Sequence, residues 1–158
     1  MCNTNENLSG DYSMKDNCTF CKILKCKEAD PTFISTLDCG SLFLNLNQHY
    51  PGRCLFILNH HSEHFHELED EEFARFNRSI KLLGARLEAL YRPDLINYAL
   101  LGNHVQHVHW HIIPRYKTDE NWGGPPWPAS TKTLSEDEYR DVALKIRESI
   151  KGLEDEPD

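Results

Sequence analysis

Apolar residues recur along this chain with two different periods, and the change from one to the other marks out its elements. Between residues 69 and 91, Phe73, Phe76, Ile80, Leu83, Leu87 and Leu90 return every third or fourth position. That is the stripe of an amphipathic helix lying on a sheet. Asp70, Glu71 and Glu72 favour its amino end through the helix dipole, and Pro93 stops it. A second helix is predicted after Ser135, where Ser135 and Glu138 have capping-box spacing and Tyr139, Val142, Ile146 and Ile150 share a face. The remaining apolar runs are short. Residues 32–36, 41–46, 53–58, 96–101 and 106–113 read as five strands. Asp38-Cys39-Gly40 predicts a hairpin between the first two, with the glycine supplying the turn, and Pro51-Gly52 turns the chain into the third. The element order predicts an α+β domain: a mainly antiparallel sheet of about five strands, the long helix 70–91 on it, and a carboxy-terminal helix. Residues 1–16 are expected to be a loosely attached polar lead-in, 17–151 the domain, and 152–158 a solvated acidic tail.

Composition narrows the functional classes. A chain of 158 residues suits one domain with a proper core. The net charge of −8 argues against nucleic acid or an anionic membrane as a partner, so an anionic substrate has to be held by a local site. No apolar run is long enough to span a bilayer, and the first residues lack the basic and apolar regions of a secretion signal, so a soluble, cytoplasmic protein is expected. Six cysteines could form three disulfides, but a reducing compartment favours thiols or metal thiolates.

The candidate chemistry sits in the fifth strand. His107, His109 and His111 alternate with Val108, Trp110 and Ile112, so an extended chain points the imidazoles to one face and the apolar side chains to the other. Three histidines in register outweigh the reading of a half-buried strand with a polar face. A metal cluster is the rival, because imidazole is the commonest metal ligand.

The stretch His107-Val108-His109-Trp110-His111-Ile112-Ile113, followed by Pro114-Arg115, resembles the motif of the histidine triad nucleotide hydrolases. The resemblance extends over roughly residues 17–117 through Leu42-Phe43-Leu44-Asn45, Pro51-Gly52, the 70–91 helix and Cys18-x-x-Cys21. It implies that His109 attacks the α-phosphate of a nucleotide to give a nucleotidyl-histidine intermediate that water then cleaves. His111 would contact the same phosphate, and His107 would fix the geometry. No cofactor is required for that chemistry. Neutral imidazole is nucleophilic, and covalent catalysis divides one hard hydrolysis into two easier displacements. The family's transferase branch carries glutamine as the third residue of the triad, so His111 implies hydrolysis.

The resemblance also assigns Asn45 to the ribose hydroxyls, with Leu42 and Phe43 beside the base. Where the family carries Gly-Gln-Ser/Thr-Val, this chain has Gly102-Asn103-His104-Val105. Asn103 retains an amide donor for phosphate, and His104 stands where a hydroxyl residue is usual, able to donate a proton to the leaving group. Asn97, one strand earlier, is expected to make a second phosphate contact. Some members hold structural zinc, and the equivalent ligands here are Cys18, Cys21, His61 and His107, a set suited to tetrahedral coordination. Two reduced cysteines packing a loop beside a histidine-rich turn are the alternative. A homodimer in which two sheets join is implied as well.

The expected activity is hydrolysis of a nucleoside 5′-phosphoryl bond, in a dinucleoside polyphosphate or a nucleoside phosphoramidate. A nucleotide-binding scaffold with vestigial activity is the alternative, and the intact triad favours the enzyme. The segment with Trp122 and Trp127 is expected either to close over the leaving-group side of the site or to anchor packing elsewhere.

Overall fold

The computed structural model describes residues 14–153. Among these residues five strands, β1 (Phe33–Leu37), β2 (Gly40–Leu44), β3 (Cys54–Leu58), β4 (Leu95–Leu100) and β5 (His109–Arg115), form one antiparallel sheet in the order β1-β2-β3-β5-β4. Among the described residues three α-helices accompany it: α1 (Thr19–Lys25), α2 (Asp70–Tyr91) and α3 (Glu136–Ser149). The expected lead-in lies outside the described residues except at 14–16. There Met14 packs on a core cluster, Lys15 pairs with Glu63, and Asp16 pairs with Lys25. Of the expected acidic tail 152–158, residues 154–158 also lie outside them, while Leu153 is buried in a core cluster and is not solvated.

Strand alternation gives the sheet two different faces. Leu42, Leu44, Phe56, Leu58 and Ile112 join Phe76, Leu83 and Leu87 of α2 and Ile146 of α3 in the larger core cluster. The opposite face carries Phe43 and Ile57, which pack with Phe20, Cys21 and Leu24 of α1 in a smaller cluster. Cross-strand register places Leu55 opposite His111 and Ile57 opposite His109. The two histidines therefore stand on the smaller-cluster face, while Trp110, Ile112 and their neighbours serve the main core.

Both helices expected from periodicity are present. The Ser135 capping box is made as the sequence indicates, and α2 ends at Tyr91 with Arg92 in the left-handed conformation (φ 48°), just before Pro93. Phe73 departs from its stripe. It is exposed and meets Phe65 in the preceding loop, with ring centroids 5.1 Å apart. The β1–β2 turn differs too: Asp38 takes the positive φ (45°), not Gly40. Gly40 is required for a different reason, because a Cβ there would lie 2.2 Å from the Phe56 ring. Gly52, with φ 80°, does supply the left-handed residue of the Pro51-Gly52 turn.

The fifth strand begins later than the alternation predicts, at His109 instead of Gln106. His107 N–H closes a tight turn onto Val105 O (2.9 Å), and Val108 N–H bonds Ser62 O (2.8 Å), so the chain bends before it enters the sheet. The strand also runs on through Pro114 to Arg115. Its ladder with β3 stops at Ile112, leaving the later residues paired with β4 alone. A proline is tolerated at such a one-sided position.

Candidate functional site

The three histidines are buried but not equivalent. His109 and His111 rise from β5, with ring centroids 5.2 Å apart. His107 lies in the bend before the strand, and its ring turns away toward α1 and the loop after β3. Its backbone oxygen accepts a hydrogen bond from His109 Nδ1 at 2.7 Å. A carbonyl can only accept, so the His109 proton is on Nδ1 and its Nε2 carries the lone pair. Burial holds the His109 pKa below the ordinary imidazole value, opposed by that same hydrogen bond. The ring is therefore neutral and nucleophilic at physiological pH.

His111 has the opposite assignment of donor and acceptor. Arg53, which precedes β3, places Nη2 3.3 Å from His111 Nδ1. A guanidinium only donates, so Nδ1 of His111 is the acceptor and Nε2–H is its donor. Burial first, then the adjacent Arg53 charge, pushes the His111 pKa down to about 3. The two rings thus combine a nucleophilic nitrogen with a neutral N–H donor, the pair of groups that attack on phosphorus and charge stabilisation require.

Both rings line a cavity of about 580 Å³ with mostly apolar walls, among them Phe20, Phe43, Leu55 and Ile57. Asn45, Asn103, His104 and Trp127 line it as well. The Asn45 side-chain oxygen already accepts from Asn47 N–H (2.8 Å), so its amide offers donors. Asn103 and His104 also line an adjoining polar cleft with Lys15, His61, Glu63 and Gln106. Asn97 does not line the cavity: its oxygen accepts from Arg115 Nη1 at 3.0 Å. Leu42 is likewise not beside the base-sized cavity, because strand alternation turns it into the main core and leaves Phe43 on the open face. The two tryptophans separate. Trp127 meets His111 edge to face (centroids 5.2 Å), whereas Trp122 lies near Arg115 (6.0 Å) and away from the cavity.

Cys18, Cys21, His61 and His107 converge, with their four ligand atoms within 4.8 Å of one another. Individual separations are 3.5 Å from Cys18 Sγ to His107 Nδ1, 3.6 Å from Cys21 Sγ to His107 Nδ1, and 3.4 Å from Cys21 Sγ to His61 Nδ1. Zn–S bonds of about 2.3 Å and Zn–N bonds of about 2.0–2.1 Å at tetrahedral angles put sulfur and nitrogen about 3.5 Å apart. The outer nitrogens fit as well. His107 Nε2 donates to Leu58 O (2.8 Å) and His61 Nε2 lies 3.4 Å from Glu63 Oε1, which leaves both Nδ1 lone pairs facing the sulfurs. These residues fit a zinc ion.

Two participants escape a reading of spacing alone. Arg53 is legible only as a charged residue heading an apolar run. Helix α1 is too short for a periodic stripe, and its one signal is Cys18-x-x-Cys21, the spacing of a single helical turn. It places Phe20 against His109, with ring centroids 4.7 Å apart at 74°.

Residues 26–118 match the model of the HIT domain family. The adenosine 5′-monophosphoramidase of Schizosaccharomyces pombe is 31% identical over 147 residues, which span 85% of this chain and 99% of that protein. A histidine triad protein from Sinorhizobium meliloti superposes with a TM-score of 0.71 at 25% identity, covering 88% of this chain and 97% of the other. A Zn-bound histidine triad family protein from Mycobacterium smegmatis gives a TM-score of 0.66 at 18% identity, covering 88% and 96%, a likeness of fold.

Proposed function

This chain belongs to the HIT domain family, and from that premise we propose that it hydrolyses a nucleoside 5′-phosphoryl bond through a nucleotidyl-histidine intermediate. His109 Nε2 attacks the α-phosphorus, forming a P–N bond as the bond to the leaving group breaks. Water then attacks the same phosphorus, the P–N bond breaks, and the nucleoside 5′-monophosphate leaves. His111 Nε2–H stabilises charge on the phosphoryl oxygens, and Asn103 adds a donor. Asn45 binds the ribose, and the apolar walls around Phe43 take the base. His104 faces the leaving group. Asn97, bonded to the buried Arg115 and outside the cavity lining, has no phosphate role in this reading.

The observation that carries this reading is the His109 Nδ1–H bond to the His107 carbonyl, which leaves the nucleophilic lone pair on the cavity side of a neutral ring. The named activity of the yeast relative favours an adenosine 5′-phosphoramidate over a dinucleoside polyphosphate. Purified protein offered both substrates should release AMP faster from the phosphoramidate. Turnover of neither, or undiminished turnover by His109→Ala, would remove the hydrolase reading.

Cys18, Cys21, His61 and His107 are proposed to hold a structural zinc, which would tie α1 to the chain entering β5. Its role is that of a staple, and the hydrolytic steps do not use it. A homodimer through β4 is proposed as well. β4 is an edge strand on which Leu95 and Tyr98 are 50% and 45% exposed, and an unpaired edge with apolar side chains favours pairing with a second copy.

A further inference from the structure

We propose that Arg53 is a positioning residue for this site: it fixes which nitrogen of His111 carries the proton, and it holds Trp127 as a wall of the cavity. The effect on turnover rests on the hydrolase reading above, whereas the geometry does not. Three side chains meet here. Arg53 Nη2 lies 3.3 Å from His111 Nδ1, the Arg53 guanidinium carbon is 4.9 Å from the centroid of the Trp127 ring, and Trp127 stands 5.2 Å from His111 at 78°.

Stability alone is a poor reason to keep this arginine. It is 5% exposed, its Nε has no hydrogen-bond partner, and it makes no ion pair among the described residues. Burying a guanidinium against a neutral imidazole, with a donor left over, costs free energy that an apolar side chain of similar size would avoid. What the arginine provides is a permanent charge and a donor of one sense. It cannot give up its proton at any physiological pH, so His111 Nδ1 always meets a donor and Nε2–H is always the group left free. The positive charge behind the phosphate-facing ring then belongs to Arg53, while His111 donates as a neutral ring.

The same guanidinium lies over Trp127 and holds a residue of the Gly- and Pro-rich 121–128 segment beside the triad. Trp127 remains 41% exposed, enough ring for a flat leaving group such as a second nucleobase to stack upon. Arg53 therefore couples two properties of the site, the protonation pattern of His111 and the wall on which a leaving group is selected.

Arg53→Met and Arg53→Lys test this through two readouts that need no turnover. The first is the set of ring ¹⁵N shifts of His111; the second is acrylamide quenching of Trp127, isolated by subtracting the signal of matched Trp127→Phe proteins. The wild-type protein should show one neutral His111 tautomer, protonated on Nε2, and a Trp127 quenched less readily than in either variant. Arg53→Met should give mixed tautomers, readier quenching, and kcat lower by about 10- to 100-fold. KM should rise more for a dinucleoside polyphosphate than for adenosine 5′-phosphoramidate. Arg53→Lys keeps a donor but loses the flat stack, so it should retain the single tautomer while exposing Trp127. Wild-type quenching in Arg53→Lys overturns the proposal, and so does an unmixed tautomer in a folded Arg53→Met. If Arg53→Met does not fold, Arg53→Lys alone decides. A wild-type protein that turns over neither substrate defeats the hydrolase reading, yet the tautomer and quenching results still decide the role of Arg53.

Discussion

At His109 one hydrogen bond decides what the imidazole can do. With Nδ1 donating to the His107 carbonyl and the pKa lowered by burial, the neutral, nucleophilic form persists to lower pH than in a free histidine. The acid limb of kcat should therefore fall below pH 6.5, the ordinary imidazole value, as a pH–rate profile would show. Stability moves with pH in a related way. The folded-state pKa of His111 is about 3 against an ordinary 6.5, so the unfolded chain takes up this proton first as the pH drops. Its contribution is fully present above pH 6.5 and is progressively lost toward pH 3. Urea melts at several pH values should show stability declining through that window. Replacing His109 by alanine should lower kcat by about 10⁴-fold or more while nucleotide affinity changes little, measured by single-turnover kinetics and calorimetry. The triad histidines were legible at this scale because residue type and spacing alone mark them. Arg53 was not, because its role depends on a contact across the β3–β5 ladder and on a tryptophan 74 positions further along the chain.

At the scale of elements, α1 carries the most information that the sequence pattern withheld. Seven residues give no helical stripe, and the helix is held by what it touches: Phe20 on the triad, Cys21 and Leu24 on the smaller core cluster, and the Cys/His set at its amino end. Protein purified without chelator should contain about one zinc per chain. Chelation should lower the melting temperature by about 5 °C or more and restore it on adding zinc. Elemental analysis followed by thermal melts checks both, and Cys21→Ser should abolish the metal content. Helices α2 and α3 were legible because their apolar stripes and caps are local signals. Strand ends were less so. The start of β5 is set by the bonds of residues 107 and 108 to Val105 and Ser62, which no alternation of side chains records. The β1–β2 turn shows a related limit. Glycine is needed at position 40 because the Phe56 ring crosses there, and Gly40→Ala should cost about 1–3 kcal/mol in denaturant unfolding through overpacking.

For the whole molecule, the order β1-β2-β3-β5-β4 puts the triad strand next to the edge and leaves β4 open. The five-stranded α+β architecture followed from element order, whereas sheet order and the sidedness of the two faces needed the register. The open edge predicts a dimer: light scattering should give twice the chain mass, and Tyr98→Glu together with Leu95→Glu should shift it toward the monomer through like charges on facing edges. The claim on which the rest depends is that the phosphoryl group passes through His109. The stereochemical course at phosphorus tests that claim most directly. Each in-line displacement inverts the centre, so hydrolysis of a phosphorus-chiral adenosine 5′-thiophosphoramidate in ¹⁸O-labelled water should proceed with net retention, whereas net inversion would show that water attacks directly and would contradict the account.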